Sequence, residues 1–229
     1  MRAFLLFILL LALVALVWTR GWRPPDRYNP WAKLDLRAAP DAFFRYKLHR
    51  LGEHPAQCRA ALTAAGAHFS SVPDREVNGG CGWTDAVRLR GIRMARLQRP
   101  VIVTCPLAAS LVLLDRQVLQ PAAEALLGQH VRQIDHVGSY VCRRVDHRQL
   151  GPLSRHARAE AIDVTGFELA DGHLITVSRN WSGKDLDARF LHRVHDGACA
   201  VSGMVLGPDY DRLHRTHFHI QQGGWGYCR

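Results

Sequence analysis

The spacing of hydrophobic and polar residues divides the chain into an apolar N-terminal run and a long mixed region. Residues 3–18, AFLLFILLLALVALVW, carry no charge and predict an apolar helix. Residues 21–45 are rich in Pro, Arg and Asp, follow no hydrophobic period and indicate a tether lying on or near the domain. Beyond the tether, apolar residues recur at helical spacing within 54–72, 105–128 and 185–201.

Short runs of alternating apolar and polar residues lie between these helices and predict strands. The runs cover 79–92, 131–143, 161–165, 173–181 and 216–220. Within the second helical region, Pro121 is expected to kink or restart the helix, and Gly128 to end it. Together these elements predict one α+β domain over residues 46–229, with helices packed on an antiparallel sheet.

The apolar run lies within residues 1–20 and has an intermediate length. It is short for a membrane-spanning helix, which needs about 20 residues, and long for the apolar core of a signal peptide. No A-x-A cleavage site precedes Thr19-Arg20. An uncleaved signal anchor, or transmembrane segment, is therefore expected, with a cleaved signal peptide as the alternative. The arginines at 20, 23 and 27 would stay in the cytoplasm by the positive-inside tendency.

Six cysteines favour the opposite side of the membrane. None forms a C-x-x-C pair, and an even number of widely spaced cysteines behind an apolar leader is typical of disulfide-bonded proteins in an oxidising compartment. Among the possible connectivities, the sequential set is expected: Cys58–Cys81, Cys105–Cys142 and Cys199–Cys228. The domain is therefore expected in the periplasm, held at the inner membrane by the anchor, or secreted if the leader is cleaved.

The net charge of the chain is +10, and it comes almost wholly from Arg, because Lys occurs only at 33, 47 and 184. A basic surface favours an anionic partner such as nucleic acid, anionic lipid or an acidic cell-wall polymer. A genome rich in Arg codons would produce the same composition. A domain outside the inner membrane has no access to nucleic acid, so no nucleic-acid partner is expected. The sequence says nothing about oligomeric state.

Two of the predicted strands carry polar residues that can meet on one surface. In the strand AIDVT, alternation points Asp163 away from the core. In the strand THFHI, His217 and His219 share one face. If the two strands are neighbours, these three side chains converge, and His156, in the loop before the first strand, completes the set.

Two imidazoles and one carboxylate, with the fourth position left to water, are typical of catalytic zinc sites. Zinc lowers the pKa of its bound water to about 7, and a neighbouring base then delivers the proton to a leaving amine. His217 is close enough to the expected ligand His219 for that role. The alternative is that these are ordinary polar residues, since H-x-H and H-x6-D pairs are common by chance. His192 and His195, three apart on a predicted helix, are expected on a solvated face.

Five segments of the chain have a familiar pattern. They are CPLAASLVLLDRQVLQPAA, GSYVCR, LSRHARAEAIDVTGFELADG, HDGACAVSGMVLGPDY and HRTHFHI. Together they resemble the bacterial extensin-like protein family, and the resemblance covers roughly residues 31–228. More distantly, S-x-H-x6-D and H-x-H are similar to the zinc peptidases grouped with D-Ala-D-Ala carboxypeptidases and lysostaphin. That similarity implies a peptidoglycan stem peptide as substrate, held by Arg143 and Ser154. It also implies zinc bound by His156, Asp163 and His219.

The chain differs from these zinc peptidases at three positions. One lies within their pattern S-x-H-x-x-G-x-A-x-D, and two lie near the H-x-H pair. Ala159 stands at the Gly position, where Ala costs about 1 kcal/mol or more if positive φ is needed. Thr216 replaces an acid that serves as general base, and Gln221 replaces an acid that would orient an imidazole. The metal ligands are therefore expected to be intact and the supporting groups weakened, with His217 moving the proton.

Two functions are compatible with these residues. The first is a membrane-anchored, extracytoplasmic, zinc-dependent hydrolase of peptidoglycan stem peptides, of D,D-carboxypeptidase or endopeptidase type. The second is a non-catalytic cell-wall-binding or structural module that keeps the metal-site fold but has lost activity. A nucleic-acid-binding protein would require a cytoplasmic domain with reduced cysteines.

Overall fold

The computed structural model describes residues 2–77, 79–223 and 226–229. The helices are α1 Arg2–Thr19, α2 Phe44–Glu53, α3 Pro55–Ala64, α4 Cys105–Leu114, α5 Gln120–Leu127, α6 Val177–Asn180 and α7 Leu186–Val201. The strands are β1 His68–Ser71, β2 Arg75–Val77, β3 Cys81–Trp83, β4 Ala86–Gly91, β5 Arg96–Thr104, β6 Val131–Gly138, β7 Ala161–Leu169, β8 Leu174–Thr176, β9 Met204–Leu206, β10 Phe218–Gln221 and β11 Tyr227–Cys228.

The N-terminal part of the chain forms helix α1 and a segment that packs on the domain. The predicted apolar helix is confirmed, and its large apolar side chains within residues 4–17 are exposed. Among the residues that the structure describes, no helix is both long enough and apolar enough to cross a membrane, which departs from the predicted transmembrane anchor. The predicted tether lies against the domain, because Leu36 is buried in the core and Lys47 Nζ donates to the Asp26 backbone oxygen at 2.7 Å.

One sheet organises the described chain, with nine strands in the order β1-β4-β5-β6-β7-β10-β9-β11 and β8 paired to β7. Most neighbours are antiparallel, but β5–β6 and β9–β11 are parallel, so the prediction of a purely antiparallel sheet is wrong. The crossover through α4 and α5 explains the first parallel pair, because a helical connection returns the chain to the same end of the sheet. Strands β2 and β3 form a separate antiparallel pair.

The hydrophobic core lies where helices cover one face of the sheet. Helix α4 is buried along almost its whole length. A π-helical turn over Asp115–Leu119 joins α4 to α5 just before Pro121, where a kink or restart was predicted, and Gly128 ends α5 at φ 62° as predicted. Phe167 on β7 packs edge-to-face on Phe190 of α7, with ring centroids 5.5 Å apart. The other face of β7 and β10 is therefore free to carry polar side chains.

All six cysteines lie in the described ranges and are paired, but two of the three predicted pairs are wrong. The disulfides are Cys58–Cys105, Cys81–Cys142 and Cys199–Cys228, of which the last was predicted. The first bond forms because α3 packs on the start of α4 and brings the two Cα atoms within 6.1 Å. The second ties β3 to the loop after β6, with its Cα atoms 5.6 Å apart.

Candidate metal centre

Asp163 and His219 lie directly opposite each other on neighbouring strands. β7 and β10 pair antiparallel, and their register aligns Asp163 with His219. Phe218 and Ile220, on either side of His219, are buried in the core. Alternation therefore places His219 on the other face of the sheet, beside Asp163. The predicted adjacency of the two strands is confirmed.

A short 3-10 turn, Arg155–Arg158, brings His156 to the same place. Ser154 caps the turn, and its Oγ accepts a hydrogen bond from the His156 backbone N–H at 3.3 Å. The turn ends at Ala159, whose φ of 55° and ψ of 29° lie in the left-handed region. Position 159 therefore does use positive φ, and Ala occupies it at a cost of about 1–2 kcal/mol. The local turn keeps this geometry despite the missing Gly.

Three side-chain atoms form a nearly equilateral triangle. His156 Nε2 lies 3.1 Å from Asp163 Oδ1 and 3.0 Å from His219 Nδ1, and His219 Nδ1 lies 3.0 Å from Asp163 Oδ1. Ligand atoms of a tetrahedral zinc site, with bonds of 2.0–2.1 Å, stand about 3.3 Å apart. The triangle is therefore close to the spacing that one zinc ion imposes on three ligands, and no large movement is needed to bind it.

Hydrogen bonds on the outer side of each imidazole fix which nitrogen faces the triangle. His156 Nδ1 donates to the Ser139 backbone oxygen at 2.6 Å, and this oxygen can only accept. His219 Nε2 donates to Gln221 Oε1 at 3.0 Å, while Gln221 Nε2 donates to the Gly223 backbone oxygen at 3.3 Å. Both imidazoles therefore direct a lone pair at the triangle. Gln221 orients the ligand in place of the acid expected there.

The charge state of Asp163 suits a cation site. Burial by itself raises the pKa of Asp163, but the contacts with His156 and His219 outweigh burial, so the pKa lies below its usual range. The ionised carboxylate and two imidazole lone pairs then need positive charge between them, either as added protons or as a metal cation. The donor set and its spacing fit zinc.

Asp163 and His219 of the triangle line an open cleft with a volume of about 520 Å³, whereas His156 is only 2% exposed and does not line it. Arg143 and Ser154, the predicted substrate-binding residues, both line it. Arg143 is half-buried, and the exposed hydrogen bond from its Nη1 to the Arg144 backbone oxygen, at 3.4 Å, places its guanidinium at the rim. Ser154 is 7% exposed and already accepts the His156 amide, so it positions the turn that carries the candidate ligand His156. Arg155 adds a second rim cation.

His217, the predicted catalytic residue, lies just before β10 rather than on it. Its Nε2 is 3.6 Å from Asp163 Oδ1, and it lines the cleft. Burial lowers the pKa of His217, against the opposing charge of Asp163. The imidazole is therefore neutral at pH 7 and able to accept a proton. Its Nδ1 is 3.3 Å from Thr216 Oγ1.

A third imidazole at the cleft, beside those of His217 and His219, was missed by the sequence reasoning. His214 lines the cleft, and its ring centroid is 5.4 Å from that of His217. His214 Nδ1 donates to Asp211 Oδ1 at 2.8 Å, which fixes the ring and leaves Nε2 as the free nitrogen. Asp211 also caps the turn Arg212–His214 through two backbone amides. The D-x-x-H spacing from Asp211 to His214, which is typical of a capped turn, could have indicated this residue from the sequence.

His195, Cys199 and Cys228 form a second group with potential ligand atoms within bonding range. Both cysteines are consumed by their disulfide, so the group has no thiolate to offer. His195 is 6% exposed and its Nε2 donates to the Arg229 backbone oxygen at 3.2 Å, so its predicted place on a solvated face is wrong. His192 is exposed and stacks on Trp181, with centroids 3.9 Å apart.

Replacing Gln221 with leucine is expected to weaken zinc binding by about 10–100-fold, because His219 loses the acceptor that fixes its tautomer. Competition with a chromophoric chelator would measure the affinity. Gln222→Leu, one residue further along, is the control and should bind zinc as the unaltered chain does. Equal affinity in Gln221→Leu and the unaltered chain would show that Gln221 does not orient the ligand.

Comparison with known proteins gives one family match. A family model described as "Extensin-like protein C-terminus" matches residues 56–229, which include both halves of the metal centre and all six cysteines. Searches among curated proteins and among solved structures each found no significant match. The family model covers well over half of the chain, and the chain therefore belongs to the extensin-like protein family.

Proposed function

We propose that this chain is an extracytoplasmic zinc-dependent peptidase that hydrolyses the peptide stems of peptidoglycan, as a D,D-carboxypeptidase or an endopeptidase. The observation that carries the proposal is the triangle of His156 Nε2, Asp163 Oδ1 and His219 Nδ1, of which Asp163 and His219 line an open cleft. Two imidazoles and one carboxylate form a common ligand set of catalytic zinc sites, which keep one position open. The similarity of S-x-H-x6-D and H-x-H to zinc peptidases supports the same reaction.

A zinc ion held by these residues would supply Lewis-acid polarisation and a water whose pKa is lowered to about 7. His217 Nε2, beside Asp163, accepts the proton of the attacking water and passes it to the leaving amine. Asp211 fixes the ring of His214 through Nδ1. The free Nε2 of His214 can then hydrogen-bond the substrate or take part in the same proton transfer. The imidazoles of His217 and His214 would thus transfer the proton that an acid at the position of Thr216 would otherwise transfer.

The cleft rim suits a substrate that carries carboxylates. Arg143 and Arg155 both line the cleft, and each guanidinium can bind a carboxylate with two parallel hydrogen bonds. Arg155 is already paired with Glu160 at 2.6 Å, so Arg143 is the stronger candidate for the terminal carboxylate of a stem peptide. Three disulfides support a location in an oxidising compartment, where peptidoglycan is accessible.

A non-catalytic cell-wall-binding module is the second candidate, and Thr216 favours it. The hydroxyl of Thr216 cannot act as a base near pH 7. Its side chain is exposed, and its Oγ1 lies 3.3 Å from His217 Nδ1. In this alternative the metal centre and the rim arginines hold the stem peptide without cleaving it.

Purified muropeptides would separate the two candidates. The zinc-loaded full chain is expected to shorten a pentapeptide stem or to cut a cross-linked dimer, with products identified by mass spectrometry. Chelation should stop the reaction and added zinc should restore it. Retention of the protein on intact sacculi without any product would support the binding module. Absence of both cleavage and retention would overturn both candidates.

A further inference from the structure

Four arginines meet in one hollow at the end of the sheet remote from the metal centre. The hollow has a volume of about 350 Å³ and its lining includes Arg90, Arg93, Arg96 and Arg132. Arg132 pairs with Glu168 on β7, five residues along the strand from Asp163. At about 3.4 Å per residue, this separation is about 17 Å. The hollow is therefore distinct from the cleft.

The strand register explains why the arginines converge. Gly91 on β4 lies opposite His68 of β1 on one side and opposite Arg96 of β5 on the other. A Cβ at Gly91 would come within 3.3 Å of the Arg96 Cα, so the missing side chain lets β4 and β5 approach closely at this point. The tight turn from β4 to β5 closes through the Ile92 amide and the Ala95 oxygen at 2.7 Å, and it carries Arg93.

The positive charge of the hollow is only partly neutralised. Arg132 forms an ion pair with Glu168, whereas Arg90 donates to Ser70 Oγ at 3.3 Å and Arg96 to Gln133 Oε1 at 3.0 Å, both of which are neutral. In the part of the chain that the structure describes, Arg90, Arg93 and Arg96 form no ion pair with a carboxylate.

Arg93 interacts electrostatically with the carboxyl group of Asp115. Asp115 nevertheless cannot serve as a counter-ion inside the hollow. Its side chain is 2% exposed and bonds Gln120 Nε2 at 2.7 Å, beneath the turn that carries Arg93. It does not line the hollow. Three like charges therefore face the same exposed space, and an anion placed among them would relieve their mutual repulsion.

We propose that this hollow is a binding site for a compact, multiply charged anion of the phosphate class. A guanidinium matches a phosphate group with two parallel hydrogen bonds, and several guanidinium groups around one hollow match a ligand with several charges on neighbouring groups. A monovalent carboxylate would satisfy only one of them. The site depends neither on the metal centre nor on the proposed peptidase activity, and it gives part of the +10 net charge a specific role.

Titration calorimetry of the full chain with tripolyphosphate at low and at physiological salt would test the proposal. The double variant Arg93→Gln/Arg96→Gln is expected to bind at least about tenfold more weakly, since charge-assisted hydrogen bonds are lost. Arg189→Gln/Arg193→Gln, two exposed arginines of α7, removes the same net charge elsewhere and should change the affinity less than about twofold. Thermal unfolding of both variants checks that the fold is retained.

Inorganic phosphate and phosphatidylglycerol vesicles serve as further probes that distinguish the source of the anion. Binding of vesicles that is lost in Arg93→Gln/Arg96→Gln would assign a lipid headgroup. Binding of tripolyphosphate without vesicle binding would assign a soluble or polymer-borne phosphate. Equal weakening of tripolyphosphate binding in the two double variants, or no binding by the unaltered chain at low salt, would overturn the site.

Discussion

Replacing His156 with alanine is expected to lower the affinity for zinc by more than about 100-fold, because even residues that only orient a ligand contribute 10–100-fold. His156 supplies one of the three converging atoms, and its Nδ1 is held by the Ser139 oxygen at 2.6 Å. Alanine leaves Asp163 and His219 as a two-ligand site. Metal content after dialysis at fixed free zinc should fall from about one ion per unaltered chain to almost none.

His130→Ala is the matched control for this prediction. The side chain of His130 is 56% exposed, and its ring nitrogen lies 3.7 Å from Glu124. The substitution therefore removes an imidazole that is not part of the cleft. Asp163→Asn is a second test variant that keeps the shape of the ligand and removes its charge. Unfolding curves in chelator show whether each variant keeps the apo fold. Zinc bound at one ion per chain by both His156→Ala and Asp163→Asn would refute the metal centre.

The two strands of the metal centre were predictable because strand side chains alternate strictly between faces. Ile162 and Val164 are buried, and so are Phe218 and Ile220, which leaves Asp163 and His219 on the opposite face. Long-range pairing of the strands could not be derived from alternation alone. It came from the assumption that the two strands are neighbours, and the register of β7 with β10 confirms it.

The disulfide pairs and the parallel strand pair were not predictable in the same way. Loop length says little about which cysteines meet, because the entropy of loop closure changes slowly with length. The packing of α3 on α4 decides the Cys58–Cys105 bond. Strand β5 was missed because Pro100 and the polar residues before it obscure the apolar pattern, and without β5 the parallel pairing to β6 could not be seen.

His214 shows a further limit of reasoning from spacing. It precedes the H-x-H pair by three residues, and only the turn Arg212–His214 brings its ring near His217. The turn depends on Asp211, whose carboxylate accepts from two amides and from His214 itself. A carboxylate that caps a turn and orients an imidazole performs two tasks, and the sequence reveals only the first.

The loop between β6 and β7 links the fold to the candidate site, because it carries both a rim arginine, Arg143, and a candidate metal ligand, His156. Cys142 ties the loop to β3, and the Ser154 amide donates to the Arg143 oxygen at 2.9 Å. The Val141 amide donates to the His156 oxygen at 3.2 Å. These bonds restrain the approach of His156 to Asp163, so that little ordering remains when a cation binds.

Replacing His217 with alanine is expected to lower kcat for muropeptide cleavage by about 10²–10⁴-fold, the usual contribution of a positioned acid or base. The reason is its place at the cleft, with Nε2 at 3.6 Å from Asp163 Oδ1. Zinc content should stay near one ion per chain, since His217 supplies none of the three converging ligand atoms. Added imidazole should restore part of the activity.

Thr216→Ala is the control for this experiment, because it removes the hydroxyl that contacts His217 Nδ1 at 3.3 Å and leaves the imidazole in place. Its kcat should fall less than about tenfold, in line with the loss of one exposed hydrogen bond. Full activity in His217→Ala would exclude His217 from proton transfer. A large loss in His214→Ala would then assign the proton to the Asp211–His214 pair, since the two imidazoles share one cleft and a single proton path needs only one of them.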